Sequence, residues 1–162
     1  MSNAHTPIEV FCSYAQEDQI WLGKLETHFS LLKSQGLIST WHNRLVPPGT
    51  NQEEDIDSHL HSASVILLLI SADFLASDYC TGIEMTRALE RHQAHEAHVI
   101  PILLRPVHRK GAPFEHLQVL PTNGRPITTW SDQDDAFADV TEGIQDLLEN
   151  LRITLREESQ GG

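Results

Sequence analysis

Residues 64–71, Ser-Val-Ile-Leu-Leu-Leu-Ile-Ser, place six apolar side chains in succession between two serines. Successive side chains of a strand point to opposite faces, so a strand apolar at every position has no face for water. The run is too short for a core helix and far short of the roughly 20 residues that span a bilayer. It reads as the central strand of a parallel sheet covered on both sides.

Other apolar segments line up around it. Ile8–Ser13, Leu37–Trp41 and His98–Leu104 read as strands, with a weaker fifth at Pro126–Trp130. Helical patterns lie between several of them. From Asp18 to Gln35, the residues Trp21, Leu25, Phe29 and Leu32 recur every three or four positions, and Gly36 follows as a stop. Thr50-Asn51-Gln52-Glu53 matches a capping box, with Ile56 and Leu60 facing inward one turn apart. A third helix includes Glu84 to Arg91, with Ile83, Ala88 and Leu89 inward. The last spans Asp134 to Leu151, striped by Phe137, Val140, Ile144, Leu147 and Leu151. Residues 105–125, with three prolines and two glycines, read mainly as loop with a short helix around Phe114–Val119.

Strands alternating with helices predict an α/β fold with a five-stranded parallel sheet in the order 2-1-3-4-5. At 162 residues, one domain over residues 7–152 is expected, with residues 1–6 and 153–162 as flexible termini. That strand order has a switch point between strands one and three, where ligands bind at the carboxyl ends. Topology thereby gathers Ser13, Tyr14, Asp73, Phe74 and Glu84 around one pocket.

Composition removes several function classes. Eleven basic against 23 acidic residues leave a net charge of −12, which repels nucleic-acid phosphates and anionic lipid. No nucleic-acid or membrane partner is expected. The N-terminus lacks the layout of a secretory signal, so a cytoplasmic location is expected. Two cysteines, Cys12 and Cys80, form neither a disulfide framework nor a CxxC pair. His92, His95 and His98 are evenly spaced, but residues three and six apart drift off one helix face, so no metal is expected. No GxGxxG follows strand one, and no Walker lysine motif is present.

Four segments in order carry a family resemblance: VFCSYAQED (10–18), WHNRLVPPGTNQEEDI (41–56), LLLISADFLASDYCTGIEMTRALE (67–90) and VIPILLRPV (99–107). Together they resemble TIR domains of bacterial type over about residues 7–152. The resemblance implies a flavodoxin-like three-layer sandwich. It also implies that Glu84 stands where many TIR domains place the catalytic glutamate of an NAD glycohydrolase. NAD is then the substrate, and no cofactor is required. Other members of the family are scaffolds that self-associate, so an interaction module remains the alternative. A phosphoacceptor receiver shares the predicted topology but would need an acidic cluster where Ser13-Tyr14 stand.

One carboxylate suffices for such chemistry. The nicotinamide of NAD is already a cationic leaving group, so it departs without a proton. What needs stabilising is the positive ribosyl centre left behind. Ordinary glycosidases, by contrast, use two carboxylates.

Substrate-binding roles are expected for Ser13, Tyr14, Asp73 and Phe74, which the topology places at the pocket, and for Arg44, Tyr79 and Cys80, which the resemblance suggests. Arg44 offers a planar fork for phosphate. Members of the family often carry an aromatic residue four positions before the glutamate. Here Cys80 occupies that spacing, and Tyr79 precedes it. The loop with Asn43, Leu45, Val46, Pro47, Pro48 and Gly49 is the expected assembly loop, through which TIR domains associate with one another to play a part in defence or cell-death signalling.

Overall fold

The computed structural model describes residues 6–42 and 48–161, with side chains described through Leu151. Four parallel strands form its sheet: β1 (Ile8–Ser13), β2 (Ile38–Trp41), β3 (Val65–Ile70) and β4 (His98–Leu103), in the order β2-β1-β3-β4. Val10 of β1 lies opposite Val65, and Ser13 opposite Leu68. On the other side of β3, Val65 pairs with His98 and Ile70 with Leu103. All six β3 side chains are fully buried.

The alternation of β3 divides the core in two. Val65, Leu67 and Leu69 pack with α1 (Gln19–His28), α2 (Ser30–Ser34) and α6 (Gln133–Gly161) through Leu22, Leu25, Leu32, Phe137, Val140 and Ile144. Ile66, Leu68 and Ile70 pack on the opposite face with α3 (Gln52–Ser62), α4 (Ala72–Ala76) and α5 (Met85–Gln93) through Ile56, Leu60, Phe74, Met85 and Ala88. Each fully buried aliphatic side chain contributes about 1.5–3 kcal/mol of transfer free energy.

The first helical stretch is segmented. A 3-10 turn at Gln16–Asp18 precedes α1, and Phe29 separates α1 from α2. The Phe29 amide divides its bond between the carbonyls of Leu25 and Glu26, at 3.0 and 3.1 Å. Leu25, Phe29 and Leu32 still face the core, while Trp21 packs at its edge. Gly36 ends the segment at φ +72°, a conformation costly for residues with a Cβ.

The expected fifth strand at Pro126–Trp130 is a 3-10 turn, Ile127–Thr129. Pro126 has no N–H to donate to a ladder. The outer edge of β4 is occupied instead by single contacts: Leu120 bridges Ile102, and the Thr128 amide bonds Leu104 O at 3.0 Å. The short helix expected around 114–119 is a series of turns that inserts Phe114, fully buried, under the sheet. In α6 the buried stripe is Phe137, Val140, Ile144 and Leu148, with Leu147 and Leu151 flanking it, and the backbone is helical to Gly161. Gly143 lets α6 approach Leu120, since a Cβ there would meet Leu120 Cδ2 at 2.7 Å. Ile83, expected inward, is 44% exposed, because the turn before α5 winds differently from an α-helix.

The α3 cap falls one residue later than the capping-box pattern predicts. Asn51, extended at φ −77° and ψ 112°, is the N-cap, and its Oδ1 accepts from the Glu54 amide at 3.2 Å. Asn51→Ala is therefore expected to cost about 1 kcal/mol, and Asn51→Asp to be tolerated. Urea unfolding midpoints of the three proteins check this.

Candidate active site

Glu84 closes a π-helical turn, Cys80–Glu84, that leads directly into α5. The Ser77 hydroxyl accepts the Cys80 amide at 3.1 Å, and Thr81 Oγ1 bonds back to Ser77 O at 2.8 Å, which anchors the start of the turn. The Met85 amide reaches Cys80 O, five residues back. A turn of that width carries one residue more than an α-helical turn and brings residues five apart to the same side. Tyr79 stands five before Glu84, and both line one cavity. Cys80, four before, lines it as well. Tyr79, one residue away from the spacing expected of the family aromatic, thus shares the cavity with the glutamate.

The cavity encloses about 390 Å³ at the carboxyl ends of β1 and β3, near the small end for small-molecule sites. Its walls are Tyr14, Gln16 and Glu17 after β1, Asp73 and Ser77 after β3, and Tyr79, Cys80 and Glu84 from the π turn. Glu84 forms its floor, only 4% exposed. Ser13 Oγ donates a hydrogen bond of 2.6 Å to Glu84 Oε1. Burial raises the Glu84 carboxyl from 4.5 to about 7, and the Ser13 bond restrains that rise. The Tyr79 phenol is also pushed upward, first by burial and then by the Glu84 charge. Burial holds the Cys80 thiol at about 11, which keeps it protonated at neutral pH and a poor nucleophile. Its Sγ donates to Tyr14 O at 3.5 Å, tying the π turn to the end of β1.

A polar network braces the cavity rim. Asp18, fully buried, accepts from the Ser71 hydroxyl and from Arg105 Nε, the latter at 3.0 Å. Ser71 Oγ in turn accepts the Phe74 amide at 3.1 Å and caps α4. The Arg105 NH2 group bonds both Asp18, at 2.9 Å, and Asp73.

The structure therefore gathers Tyr14, Asp73, Tyr79, Cys80 and Glu84 at the cavity. Ser13 is buried behind it and touches Glu84 rather than the open space. Phe74 is fully buried in the core, among Phe11, Ile70 and Met85, and does not line the cavity. Pro48 and Gly49 lie in the turn before α3, whereas Asn43, Arg44, Leu45, Val46 and Pro47 lie outside the described residues. Sequence reasoning missed Gln16, Glu17 and Ser77 as wall residues, and Arg105 behind Asp73. Arg105 did carry a signal, as a cation immediately past the fourth strand at the ligand-binding end of a parallel sheet.

The histidines cluster elsewhere. His92 and His98 meet edge to face at 6.5 Å and, with His116, line a separate cavity of about 470 Å³ beside β4. The Val99 amide donates to His92 Nδ1 at 3.2 Å, which places the neutral ring's proton on Nε2. In that tautomer neither ring nitrogen offers a free lone pair to an ion.

A four-stranded parallel sheet between two helical layers, with a buried glutamate on the cavity at its switch point, defines an α/β protein of flavodoxin-like topology. The chain belongs to the TIR domain family, whose pattern it matches over residues 10–141. An uncharacterized protein of Sinorhizobium fredii, y4lF, is 47% identical over 137 residues, covering 85% of this chain and 42% of that protein. The chain thus spans less than half the length of this bacterial relative. The crystal structure of the TIR domain of the Toll-related receptor TRR-2 from Hydra magnipapillata is 27% identical, with a TM-score of 0.55 over 68% of this chain and 81% of that one. The TIR domains of the activated Roq1 resistosome, which directly recognizes the pathogen effector XopQ, share the fold at 18% identity. Their TM-score is 0.63 over 85% of this chain and 99% of that one.

Burial of Glu84 has a consequence for stability. Because its folded-state pKa is raised, the penalty is absent below about pH 4.5 and develops as pH rises towards and past about 7. A displacement from 4.5 to about 7 corresponds to roughly 3 kcal/mol. Glu84→Gln keeps an acceptor for Ser13 and cannot ionise. Its melting temperature should equal the parent's near pH 4.5 and exceed it by several degrees at pH 8, as thermal scans across pH will read.

Proposed function

We propose that this TIR domain is an NAD glycohydrolase, cleaving the bond between nicotinamide and ribose. The observation that carries this reading is Glu84: a carboxylate on the floor of a cavity, held by Ser13, in a protein of a family whose members include NAD-cleaving enzymes.

Cleavage of the glycosidic C–N bond leaves its electron pair on the nicotinamide nitrogen, which neutralises that ring's positive charge. The ribosyl carbon becomes electron-deficient. An ionised Glu84 opposite it stabilises the developing cation, with no need to supply a proton. Water then adds to the ribosyl carbon and releases a proton, or an oxygen or ring nitrogen of the ADP-ribosyl group adds and forms a cyclic isomer. The substrate assists the ionisation it requires, since a bound cation lowers the pKa of an adjacent carboxyl. Tyr79 and Tyr14 supply aromatic walls, and Glu17 adds negative potential favourable to the pyridinium ring.

A second reading, a TIR scaffold acting through self-association, rests on the fold shared with the TIR domains of the Roq1 resistosome, an assembled state. The two combine if association activates cleavage, with the loop around Pro48 and Gly49 as the contact. A role in bacterial defence or cell-death signalling in the cytoplasm belongs to this proposal. Among the described residues, no helix is long and apolar enough to cross a membrane.

Glu84→Gln removes the charge opposing the ribosyl cation and should lower nicotinamide release by about 10²–10³. A folded variant cleaving NAD at the parent's rate would remove Glu84 from the mechanism. In the parent, kcat/KM should rise with pH through about 7 and level off above it, because the working form is the carboxylate. Ser13→Ala, which removes the bond that restrains the pKa, should move that limb to higher pH. If association activates the enzyme, specific activity should climb with protein concentration, and full activity in a dilute monomeric sample would refute it. Failure of the assembled parent to release nicotinamide would favour the scaffold.

A further inference from the structure

The glycohydrolase reading places a dinucleotide, with its negative diphosphate, beside a cavity walled by Glu17, Asp73 and Glu84. None of the described wall residues is a lysine or arginine. Such a wall suits the cationic nicotinamide riboside half and repels the phosphates. A cation is needed at the rim, and one stands there already engaged. Arg105 follows β4 at the carboxyl end of the sheet, where parallel α/β folds bind their ligands.

Its two partners differ. Asp18 is buried, with a side chain 1% exposed, and receives both Nε and NH2 of the guanidinium. That pairing sets the plane of the fork and neutralises the buried carboxylate. Asp73 is 39% exposed, lines the cavity, and bonds the outward NH2 group. Arg105 itself is 32% exposed. A buried acid thus fixes the fork while a solvent-facing acid covers its working end. Of the two pairs, the one with Asp73 is more open to solvent and so to a competing anion, whereas the one with Asp18 is buried. A phosphate oxygen arriving at the rim competes with Asp73 for the same N–H group and presents more acceptors in a geometry the guanidinium matches.

Resting on the glycohydrolase reading for its substrate, we propose that Arg105 is the anchor for the dinucleotide's diphosphate and that Asp73 occupies it until the substrate displaces it. Asp18 is the positioning residue that aims the guanidinium, and Ser71, which bonds Asp18, couples this aim to the start of α4. Arg105 binds a phosphate and does not touch the bond that breaks.

The test uses three proteins, the parent, Asp73→Asn and Arg105→Lys, and two ligands, ADP-ribose and the phosphate-free adenosine. Asparagine competes weakly for the guanidinium. Lysine keeps a charge near Asp18 but cannot serve Asp18 and a phosphate through one rigid fork. Calorimetry should show ADP-ribose binding about tenfold tighter in Asp73→Asn and about tenfold weaker in Arg105→Lys than in the parent, with adenosine binding alike in all three. Equal ADP-ribose affinities, parallel changes for adenosine, or no binding by any of the three overturns the proposal. If Arg105→Lys does not fold by circular dichroism, Asp73→Asn against the parent decides. Nicotinamide release is measured beside it. A parent that cleaves NAD while the affinities stay equal refutes Arg105 and leaves the glycohydrolase reading standing. A parent that releases none while the affinities fall in the expected order does the reverse.

Discussion

Every layer of the molecule is built around the burial of β3 on both faces. A strand without a wet side requires a helical layer above and another below, and those layers come from separate parts of the chain. Leu67 and Leu69 draw in α1, α2 and α6, whereas Leu68 and Ile70 draw in α3, α4 and α5. Parallel pairing to β1 and β4 then places three strand ends side by side. The loops leaving those ends supply the cavity walls and the network that braces them.

Four of the buried polar residues lie at this same end. Ser13, Asp18, Ser71 and Glu84 are all buried within or just beyond the strand ends. Each has a partner: Ser13 with Glu84, Ser71 with Asp18, and Asp18 with Arg105. An unpaired buried carboxylate costs far more than a paired one, so these pairings meet a need of the fold. Glu84 differs from Asp18 in its partner. Among the described residues it is the Ser13 hydroxyl that bonds it, and burial leaves the carboxyl raised towards neutrality and receptive to an incoming cation.

The π-helical turn shows how a small irregularity of the backbone adjusts a site. Tyr79 and Glu84 stand five residues apart, a separation that on a regular α-helix would rotate the two side chains apart. The wider turn keeps both on the cavity, while Ile83 is turned outward to 44% exposure. The rim shows the complementary device, a cation whose orientation is set by a buried acid and whose outer face is covered by a half-buried one.

Much was legible in the chain alone because it depends on local periodicity. The apolar run at 65–70, the three-and-four spacing along α1 and α6, and Gly36 as a stop each follow from which side chains avoid water. The parallel class follows from their alternation, and the expected strand order brought Glu84, Tyr14 and Asp73 to one end of the sheet. The fifth strand was misread because Pro126–Trp130 has strand composition, while the outer edge of β4 is met by Leu120 and Thr128 from separate turns. Phe74 read as a ring at the site, yet capping of α4 by Ser71 turns it into the core. Periodicity reports burial along one element. The Ser13–Glu84 bond spans 71 residues and the Arg105–Asp18 bond 87, so their geometry exists only once the strand ends meet.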